Sequence, residues 1–230
     1  MLKKEEITDV FFDWDHTLWD FEKNSALTFE KIFGSLNIQL NIDDFLKAYE
    51  PINHQYWKLY RENKISQKEL RQQRLIKTFK GIGFDFQRHS IDQISELYIQ
   101  HLSTFPHLFE GALSLLQTLR QKYRLHIITN GFEAVQHRKI KNSGLAPFFN
   151  NIFTAEKVGC KKPNPIFFQY AIAASKTTAS SSLMIGDSLE ADVLGALKAG
   201  MQAIHFNTHN EPAHLHCPMV YRLKEIKNLL

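Results

Sequence analysis

The chain alternates between short apolar runs and helical patterns, and this alternation limits its possible folds more than any other feature. Short apolar runs that end in polar or small residues are typical of buried parallel strands. Five such runs occur, at residues 10–12, 125–128, 152–153, 183–185 and 203–206. Helical patterns lie between the later runs, at residues 111–122, 132–143, 165–175 and 189–199. The sequence therefore predicts an α/β fold with a doubly wound parallel sheet and helices on both of its faces.

Residues 19–107 interrupt this alternation with several helical stretches and no convincing strand. Ser66 and Glu69 match a capping box, and Ser90 is suited to cap a later helix. An insert at the carboxyl end of the first strand would lie over the crevice where open α/β sheets bind ligands. We therefore predict a core domain of residues 1–18 and 108–230 and an all-helical cap domain of residues 19–107.

Composition narrows the class of protein. The 230 residues are 43% hydrophobic and 23% charged, which suits a sizeable buried core, and the formal charge is only +4. Lysine and arginine are scattered, so a nucleic acid polymer is not the expected partner. No apolar stretch reaches the roughly 20 residues that would span a bilayer, and the first residues lack the apolar run of a signal peptide, so neither feature is expected. With only two cysteines, a cytoplasmic location without membrane attachment is expected.

Two aspartates, Asp13 and Asp15, stand one residue apart where the first apolar run ends. On an extended segment, residues i and i+2 point to the same side, so the two carboxylates converge and repel each other. A bound cation or a retained proton relieves such repulsion. Aspartates also occur in turns for purely structural reasons, so the pair needs support from the rest of the chain.

Three later clusters of polar residues also follow strands or begin helices. Thr129 and Asn130 end the second apolar run, and a hydroxyl beside free backbone N–H groups can cradle a phosphoryl group. Lys162 precedes a proline-rich turn, and Asp187 and Asp192 follow the fourth run. Each has a structural alternative: an Asn-Gly turn, a solvated lysine pair, or an ordinary helix N-cap. Their order and shared context favour a common site.

This combination resembles the haloacid dehalogenase superfamily, specifically its phosphatases with a helical cap inserted after the first motif. Residues 13–17 resemble motif one, Thr129 motif two, Lys162 motif three, and residues 186–187 with Asp192 motif four. The resemblance implies a Rossmann-like core. His16 departs from the pattern, because many members carry glycine there. The sequence Asp-His-Thr-Leu-Trp-Asp at residues 15–20 is similar to the corresponding motif of 5'-nucleotidases that act on pyrimidine or noncanonical nucleoside monophosphates.

The resemblance implies a set of roles at the first and fourth motifs. Asp13 would be the nucleophile that forms an aspartyl-phosphate, and Asp15 the acid that protonates the leaving alkoxide and then the base that activates water. Mg²⁺ would be held by the Asp13 carboxylate, the backbone carbonyl of Asp15 and the Asp187 carboxylate. Thr17 and Asp192 would support this arrangement.

The resemblance also implies how phosphate would be bound, and with it a function. Thr129, the Asn130 N–H and Lys162 would hold the phosphoryl oxygens. We expect a Mg²⁺-dependent phosphomonoester hydrolase that acts on a small phosphorylated metabolite, with a nucleoside monophosphate as first choice. A sugar-phosphate or phosphoglycolate phosphatase, a phosphomutase and a catalytically silent small-molecule binding module remain alternatives. Either a monomer or a homodimer is compatible with the sequence.

Two further groups of residues leave their roles open. The aromatic side chains of Trp19, Phe21, Tyr56, Trp57 and Tyr60 could stack on a nucleobase, but aromatic residues at helical spacing more often form core. Four histidines and a cysteine near the carboxyl terminus lack the compact paired spacing of a zinc site, so a surface loop is expected there. They are His205, His209, His214, His216 and Cys217.

Overall fold

The structure is a computed structural model that describes residues 2–85 and 90–230, and the chain divides into two compact units. The first consists of Met1–Phe21 and Pro106–Leu230, and the second of Glu22–Phe105. The assignment of residues 19–107 as a cap domain stays a prediction. Within the described residues, the helices are too short or too polar to cross a bilayer.

A six-stranded sheet forms the centre of the first unit, and every pair of neighbouring strands is parallel. The strands are β1 (Asp9–Phe12), β2 (Arg124–Thr129), β3 (Asn151–Thr154), β4 (Ser182–Gly186), β5 (Gln202–Phe206) and β6 (Met219–Val220). Their order is β3-β2-β1-β4-β5-β6. The predicted parallel α/β fold is therefore confirmed. The short β6 was not predicted, because two residues are too few to form a recognisable apolar run.

The first unit also contains seven α-helical or related segments that cover the sheet. They are α5 (Ala112–Leu119), α6 (Glu133–Asn142), α7 (Ala155–Val158), α8 (Pro165–Ala174), a π-helical segment (Leu189–Leu194), α9 (Gly195–Lys198) and α10 (Leu223–Ile226). Short 3₁₀ turns occupy Lys4–Glu6 and Ala146–Phe148. One part of the core joins Phe11, Ile128 and Met184 of three adjacent strands to Phe167 and Phe168 of α8, all of them buried.

The segment after β4 differs from the single helix predicted over residues 189–199. It begins as a π-helical turn at Leu189–Leu194 and continues as α9. The Asp192 side chain turns back, and its Oδ2 accepts a hydrogen bond of 3.1 Å from the backbone N–H of Ser188. Wider turns of this kind are frequent at functional sites, and this one carries a buried aspartate.

Among its described residues, the second unit contains four α-helices, which are the first four of the chain: α1 (Phe21–Ser35), α2 (Ile42–Arg61), α3 (Gln67–Gly81) and α4 (Ile91–His101). A 3₁₀ turn (Leu102–Thr104) follows α4. The predicted capping box is confirmed, since the Ser66 N–H donates to Glu69 Oε2 at 2.8 Å and the Glu69 N–H to Ser66 Oγ at 3.2 Å. Aromatic rings fill the interior, with Phe29 contacting Phe45, Tyr49 and Tyr98 at centroid distances of 4.7 Å.

The histidine-rich segment only partly matches the predicted surface loop. His205 lies in β5 and is fully buried, so the prediction was wrong for this residue. Burial is tolerated because both ring nitrogens are bonded: Nε2 to the Asp187 carbonyl at 2.8 Å and Nδ1 to His214 Nε2 at 2.9 Å. His216 is exposed and Cys217 is partly buried.

A second buried polar group lies where β1 and β2 begin. His126 Nε2 is 2.9 Å from Asp9 Oδ1, and Arg124 donates to Asp9 Oδ2 at 2.9 Å. Burial lowers the pKa of His126, and the hydrogen bond from its ring to Asp9 only partly opposes this. Burial alone would raise the pKa of Asp9, but hydrogen bonds from Thr8, His126 and Arg124 outweigh it and lower that pKa.

This group predicts that the protein loses stability in mild acid. The unfolded chain protonates His126 near its ordinary pKa of 6.5, whereas the folded protein resists protonation, so the unfolded state binds more protons as the pH falls below that value. The lowered pKa of Asp9 acts in the same direction at lower pH. We expect the melting temperature to fall from pH 7.5 to pH 5.

The measurement is a series of thermal melts with two variants. His126→Gln should flatten the dependence of the melting temperature on pH, whereas His137→Gln, at an exposed position of α6, should leave it unchanged. A His126→Gln profile that is parallel to the wild-type profile would contradict the assignment.

Candidate active site

The site lies at the carboxyl edge of the sheet, where β1, β2 and β4 end side by side. The register aligns Phe12 with Ile127 on one side and with Ile185 on the other. The Asp13 N–H continues the ladder to the Ile185 carbonyl at 2.9 Å. The chain leaves β1 towards β2 and β3 on one side and returns through β4 and β5 on the other, which is the switch point where α/β sheets bind ligands.

Lys162 connects the later clusters to Asp13. Its Nζ donates to Asp13 Oδ1 at 2.6 Å, to Asp192 Oδ1 at 2.6 Å and to the Ile128 carbonyl at 2.9 Å. The side chain is only 2% exposed, so the alternative of a solvated lysine pair was wrong at this residue. Its three ammonium hydrogens all have partners, which is how a buried lysine keeps its charge.

Asn130 acts on the Lys162 backbone. Its Nδ2 donates to the Lys162 carbonyl at 3.0 Å, and its Oδ1 accepts from the Lys162 N–H at 2.8 Å. This pair of bonds fixes the peptide from which the lysine side chain extends. The sequence predicted the backbone N–H of Asn130 as a phosphate donor, and that role stays a prediction. The structural role of its side chain was not foreseen.

Three carboxylates crowd together beside this lysine. One oxygen from each of Asp13, Asp187 and Asp192 lies within 4.8 Å of the others. Thr17 Oγ1 donates to Asp187 Oδ1 at 3.1 Å. Gly186 permits the approach of Asp192, because a Cβ at this position would overlap the Asp192 carboxylate. Asp192 was predicted only to support the site, but its carboxylate is part of the acidic cluster itself.

The electrostatics of the cluster favour an additional cation. Burial raises the pKa of Asp13 well above its usual value; attraction to Lys162 opposes this rise, and the charges of Asp192 and Asp187 add to it. Burial likewise raises the pKa of Asp192. Burial would lower the pKa of Lys162, but Asp13 and Asp192 raise it, so the lysine stays protonated. When all three buried carboxylates are ionised, one ammonium leaves an excess of negative charge.

The donor set fits Mg²⁺, which prefers oxygen ligands and carboxylates above all. A divalent cation would also offset the two negative charges that Lys162 leaves unbalanced. The Asp15 backbone carbonyl, which the resemblance adds to the ligands, stays a prediction. The Asp15 carboxylate takes no part in the three-aspartate cluster.

Asp15 is instead held by two residues of α6. Lys139 Nζ donates to Asp15 Oδ1 at 2.7 Å, and Gln136 Nε2 donates to Asp15 Oδ2 at 2.8 Å. Lys139 is 3% exposed, and its ammonium lies 4.0 Å from the centroid of the Trp19 ring and 5.3 Å from that of Phe21. Trp19 and Phe21 are buried, so the structural alternative holds for these two aromatic residues. Of the other three, Tyr60 is buried, and Tyr56 and Trp57 are partly buried.

Gln136 and Lys139 were missed at the sequence level. Both lie three residues apart on the first two turns of α6, directly after the Thr129 cluster. Polar residues at such positions are normally assumed to face water. Their spacing on one face beside the apolar Val135 and Ile140 was the signal that could have identified them, since polar side chains on an apolar face need a buried partner.

Thr129 is buried with both of its acceptor positions occupied. Its Oγ1 accepts from the Gly131 N–H at 3.1 Å and from Gln136 Nε2 at 2.7 Å. Gly131 permits this arrangement, because a Cβ there would overlap the Gln136 side chain. A hydroxyl that accepts twice has only its own hydrogen left to give. Thr129 is therefore prepared to donate to an incoming acceptor.

His16 lies in the loop that follows β1, directly after Asp15. Its φ of 63° lies in the left-handed region, where most residues other than glycine are strained. Its N–H donates to the Trp19 carbonyl at 3.0 Å, and its ring packs 4.8 Å from that of Phe21. Glycine, which has no Cβ, enters this conformation without strain.

The chain is similar to known proteins along most of its length. A family model described as haloacid dehalogenase-like hydrolase matches residues 10–206. The chain is 31% identical over 226 residues to the pyrimidine 5'-nucleotidase PynA of Streptococcus pneumoniae, covering 96% of this chain and 92% of the relative. It is 30% identical over 202 residues to the pyrimidine 5'-nucleotidase YjjG of Escherichia coli, covering 87% and 86%.

A solved structure gives the same result for the fold. The HAD-hydrolase YfnB of Bacillus subtilis, crystallised with bound magnesium, superposes with a TM-score of 0.87 at 29% identity, covering 97% of this chain and 98% of that one. The predicted resemblance to this family, which was based on residues 13–17, Thr129, Lys162, and residues 186–187 with Asp192, is confirmed.

Proposed function

The chain belongs to the family of haloacid dehalogenase-like hydrolases, and from this membership we propose that it is a Mg²⁺-dependent phosphatase that uses Asp13 as nucleophile and hydrolyses nucleoside 5'-monophosphates. The observation that carries the proposal is the environment of Asp13. Oδ1 accepts from Lys162, and within the described parts of the chain Oδ2 has no hydrogen-bond partner. One carboxylate oxygen is thus free to attack.

The first step would transfer the phosphoryl group to Asp13. A bond forms between Asp13 and phosphorus while the bond from phosphorus to the ester oxygen breaks, giving an aspartyl-phosphate. Asp15, in its protonated form, would give its proton to the departing alkoxide. Thr129 would donate its remaining hydrogen to a phosphoryl oxygen, and Lys162 would offset the negative charge of the phosphoryl group.

The second step would release phosphate. Asp15, now ionised, would take a proton from a water molecule that attacks phosphorus, the bond to Asp13 would break, and both carboxylates would return to their starting forms. Lys139 and Gln136 would keep the Asp15 carboxylate in place between the two steps. Mg²⁺, bound among Asp13, Asp187 and Asp192, would supply positive charge beside the reacting phosphate.

The choice of substrate rests on similarity. PynA and YjjG are both named as pyrimidine 5'-nucleotidases. The sequence of residues 15–20 is similar to the motif of such nucleotidases. As part of the proposal, the helical unit of residues 22–105 would be the cap that selects the leaving group. Sugar phosphates and phosphoglycolate are the competing substrates.

A panel of monophosphates tests this function. We expect phosphate release from pyrimidine nucleoside 5'-monophosphates in the presence of Mg²⁺, with a kcat/KM at least about tenfold above that for sugar phosphates and phosphoglycolate, and no release in EDTA. A higher value for a sugar phosphate would contradict the nucleotidase assignment. A lack of release from every compound would favour a silent binding module.

A further inference from the structure

The segment that follows β5 contacts Asp187 at two points. His205 Nε2 donates to the Asp187 backbone carbonyl at 2.8 Å, and His209 Nε2 lies 3.0 Å from Asp187 Oδ2. Thr17 donates to the remaining carboxylate oxygen, Oδ1. All three oxygens of Asp187 are therefore bonded, and an imidazole bonds two of them.

The backbone contact determines the proton positions along a row of imidazoles. A carbonyl only accepts, so His205 must carry its proton on Nε2, and its neutral Nδ1 accepts from His214 Nε2 at 2.9 Å. His214 Nδ1 in turn accepts from the His216 N–H at 3.3 Å. Burial lowers the pKa of His214, and the neighbouring His205 and His216 lower it further, which favours its neutral form. The row holds His205 in one orientation against the Asp187 backbone.

The loop that carries His209 has further anchors of its own. Asn207 Nδ2 donates to the Glu211 carbonyl, and the Glu211 N–H donates to Asn207 Oδ1, both at 2.8 Å. Glu211 Oε2 accepts from the Leu189 N–H at 3.3 Å, and Thr208 Oγ1 donates to the His16 carbonyl at 3.4 Å. These bonds tie the loop to both sides of the acidic cluster and leave the His209 ring directed at Asp187.

We propose that His209 is a positioning residue that holds the Asp187 carboxylate in the orientation a divalent cation requires; this inference rests on the metal site of the proposed function. Without His209, the Asp187 carboxylate would keep the Thr17 contact at Oδ1 but could rotate about it, so its oxygens would be correctly placed only part of the time. Hydrogen bonds from surrounding residues remove that freedom, and their loss typically costs about 10- to 100-fold in metal affinity.

An opposite role for His209 is physically reasonable and makes the inference testable. Its N–H could occupy the carboxylate oxygen that a cation needs, in which case it would compete with the metal. Removal of the ring would then tighten metal binding, whereas removal of a positioning residue weakens it. The sign of the change in affinity decides between the two.

The experiment is calorimetric titration of the purified protein with Mg²⁺, without substrate. We expect His209→Ala to raise the Kd for Mg²⁺ about 10- to 100-fold. His209→Gln, which keeps an N–H donor near the position of Nε2, should restore most of the affinity. His137→Ala, at an exposed position of α6, serves as the control and should bind Mg²⁺ like the wild type. Thermal melts in EDTA establish that both His209 variants are folded.

Unchanged or tighter Mg²⁺ binding by a folded His209→Ala variant would overturn the inference, and so would a wild-type protein that binds no Mg²⁺. Failure of the inference is distinguishable from failure of the proposed function. If the wild type binds Mg²⁺ and the alanine variant binds it weakly, while no monophosphate is hydrolysed, the positioning role stands and the nucleotidase assignment is wrong.

Discussion

Asp13→Asn is expected to abolish turnover, with kcat reduced by about 1,000-fold or more, as is usual when an enzyme loses its nucleophile. An amide does not attack phosphorus, and no neighbouring side chain can replace it at the same position. Lys162 would still be held by Asp192 and the Ile128 carbonyl. The loss should therefore be chemical rather than structural.

The same variant should be at least as stable as the wild type when metal is absent. Burial raises the pKa of Asp13, so its ionised form is disfavoured in the folded protein, and a neutral amide removes that cost at neutral pH. Thermal melts in EDTA and phosphate-release assays in Mg²⁺ measure the two effects separately. Asp43→Asn, at an exposed position of α2, is the matched control. Turnover within tenfold of the wild-type value would rule out Asp13 as the nucleophile.

Lys162→Met is expected to produce the largest loss of stability. It leaves Asp13 and Asp192 buried without their cation, beside Asp187, while methionine fills similar space. Removal of one partner from a buried ion pair costs about 3–5 kcal/mol in the free energy of unfolding. Hydrolysis should be lost as well, because the charge that faces the phosphoryl group disappears.

Urea denaturation in EDTA measures this loss, and a second series in Mg²⁺ tests its cause. If excess negative charge is responsible, saturating Mg²⁺ should recover part of the lost stability in the variant, because a cation that binds only the folded state stabilises it. Lys122→Met, at an exposed position, should change the free energy of unfolding by less than about 0.5 kcal/mol. A Lys162→Met variant as stable as the wild type would show that repulsion among the three carboxylates does not destabilise the folded protein.

Much of the fold and part of the site could be predicted because the signals are local. Apolar runs that end in polar residues identify parallel strands, and parallel strands place their carboxyl ends along one edge. The sequence predicted that Asp13, Thr129 and Asp187 follow strands and share one site. That β1, β2 and β4 end side by side was shown only by the structure. The capping box of Ser66 and Glu69 could also be predicted, because both residues lie within one helical turn.

Other parts of the site depend on side chains that meet only after packing. Gln136 and Lys139 resemble ordinary polar positions of a surface helix until α6 brings them against Asp15, more than 120 residues earlier in the chain. His209 is similar, because nothing in the pattern near it indicates a bond to Asp187. Asp192 was recognised, but its place within the acidic cluster required the π-helical turn that carries it.

The sequence by itself determined the parallel sheet, the four motifs and the residue types from which a phosphoryl-transfer site is built. It could do so because a few consecutive residues are enough to identify a strand and its end. Only the tertiary structure decided which charged side chains contact each other. Lys162 lies 149 residues from Asp13 in the chain, and whether their side chains meet depends on the direction of each side chain and on the packing of the segments between them. Electrostatic energy varies steeply with distance and burial, so the properties of these carboxylates follow from that packing.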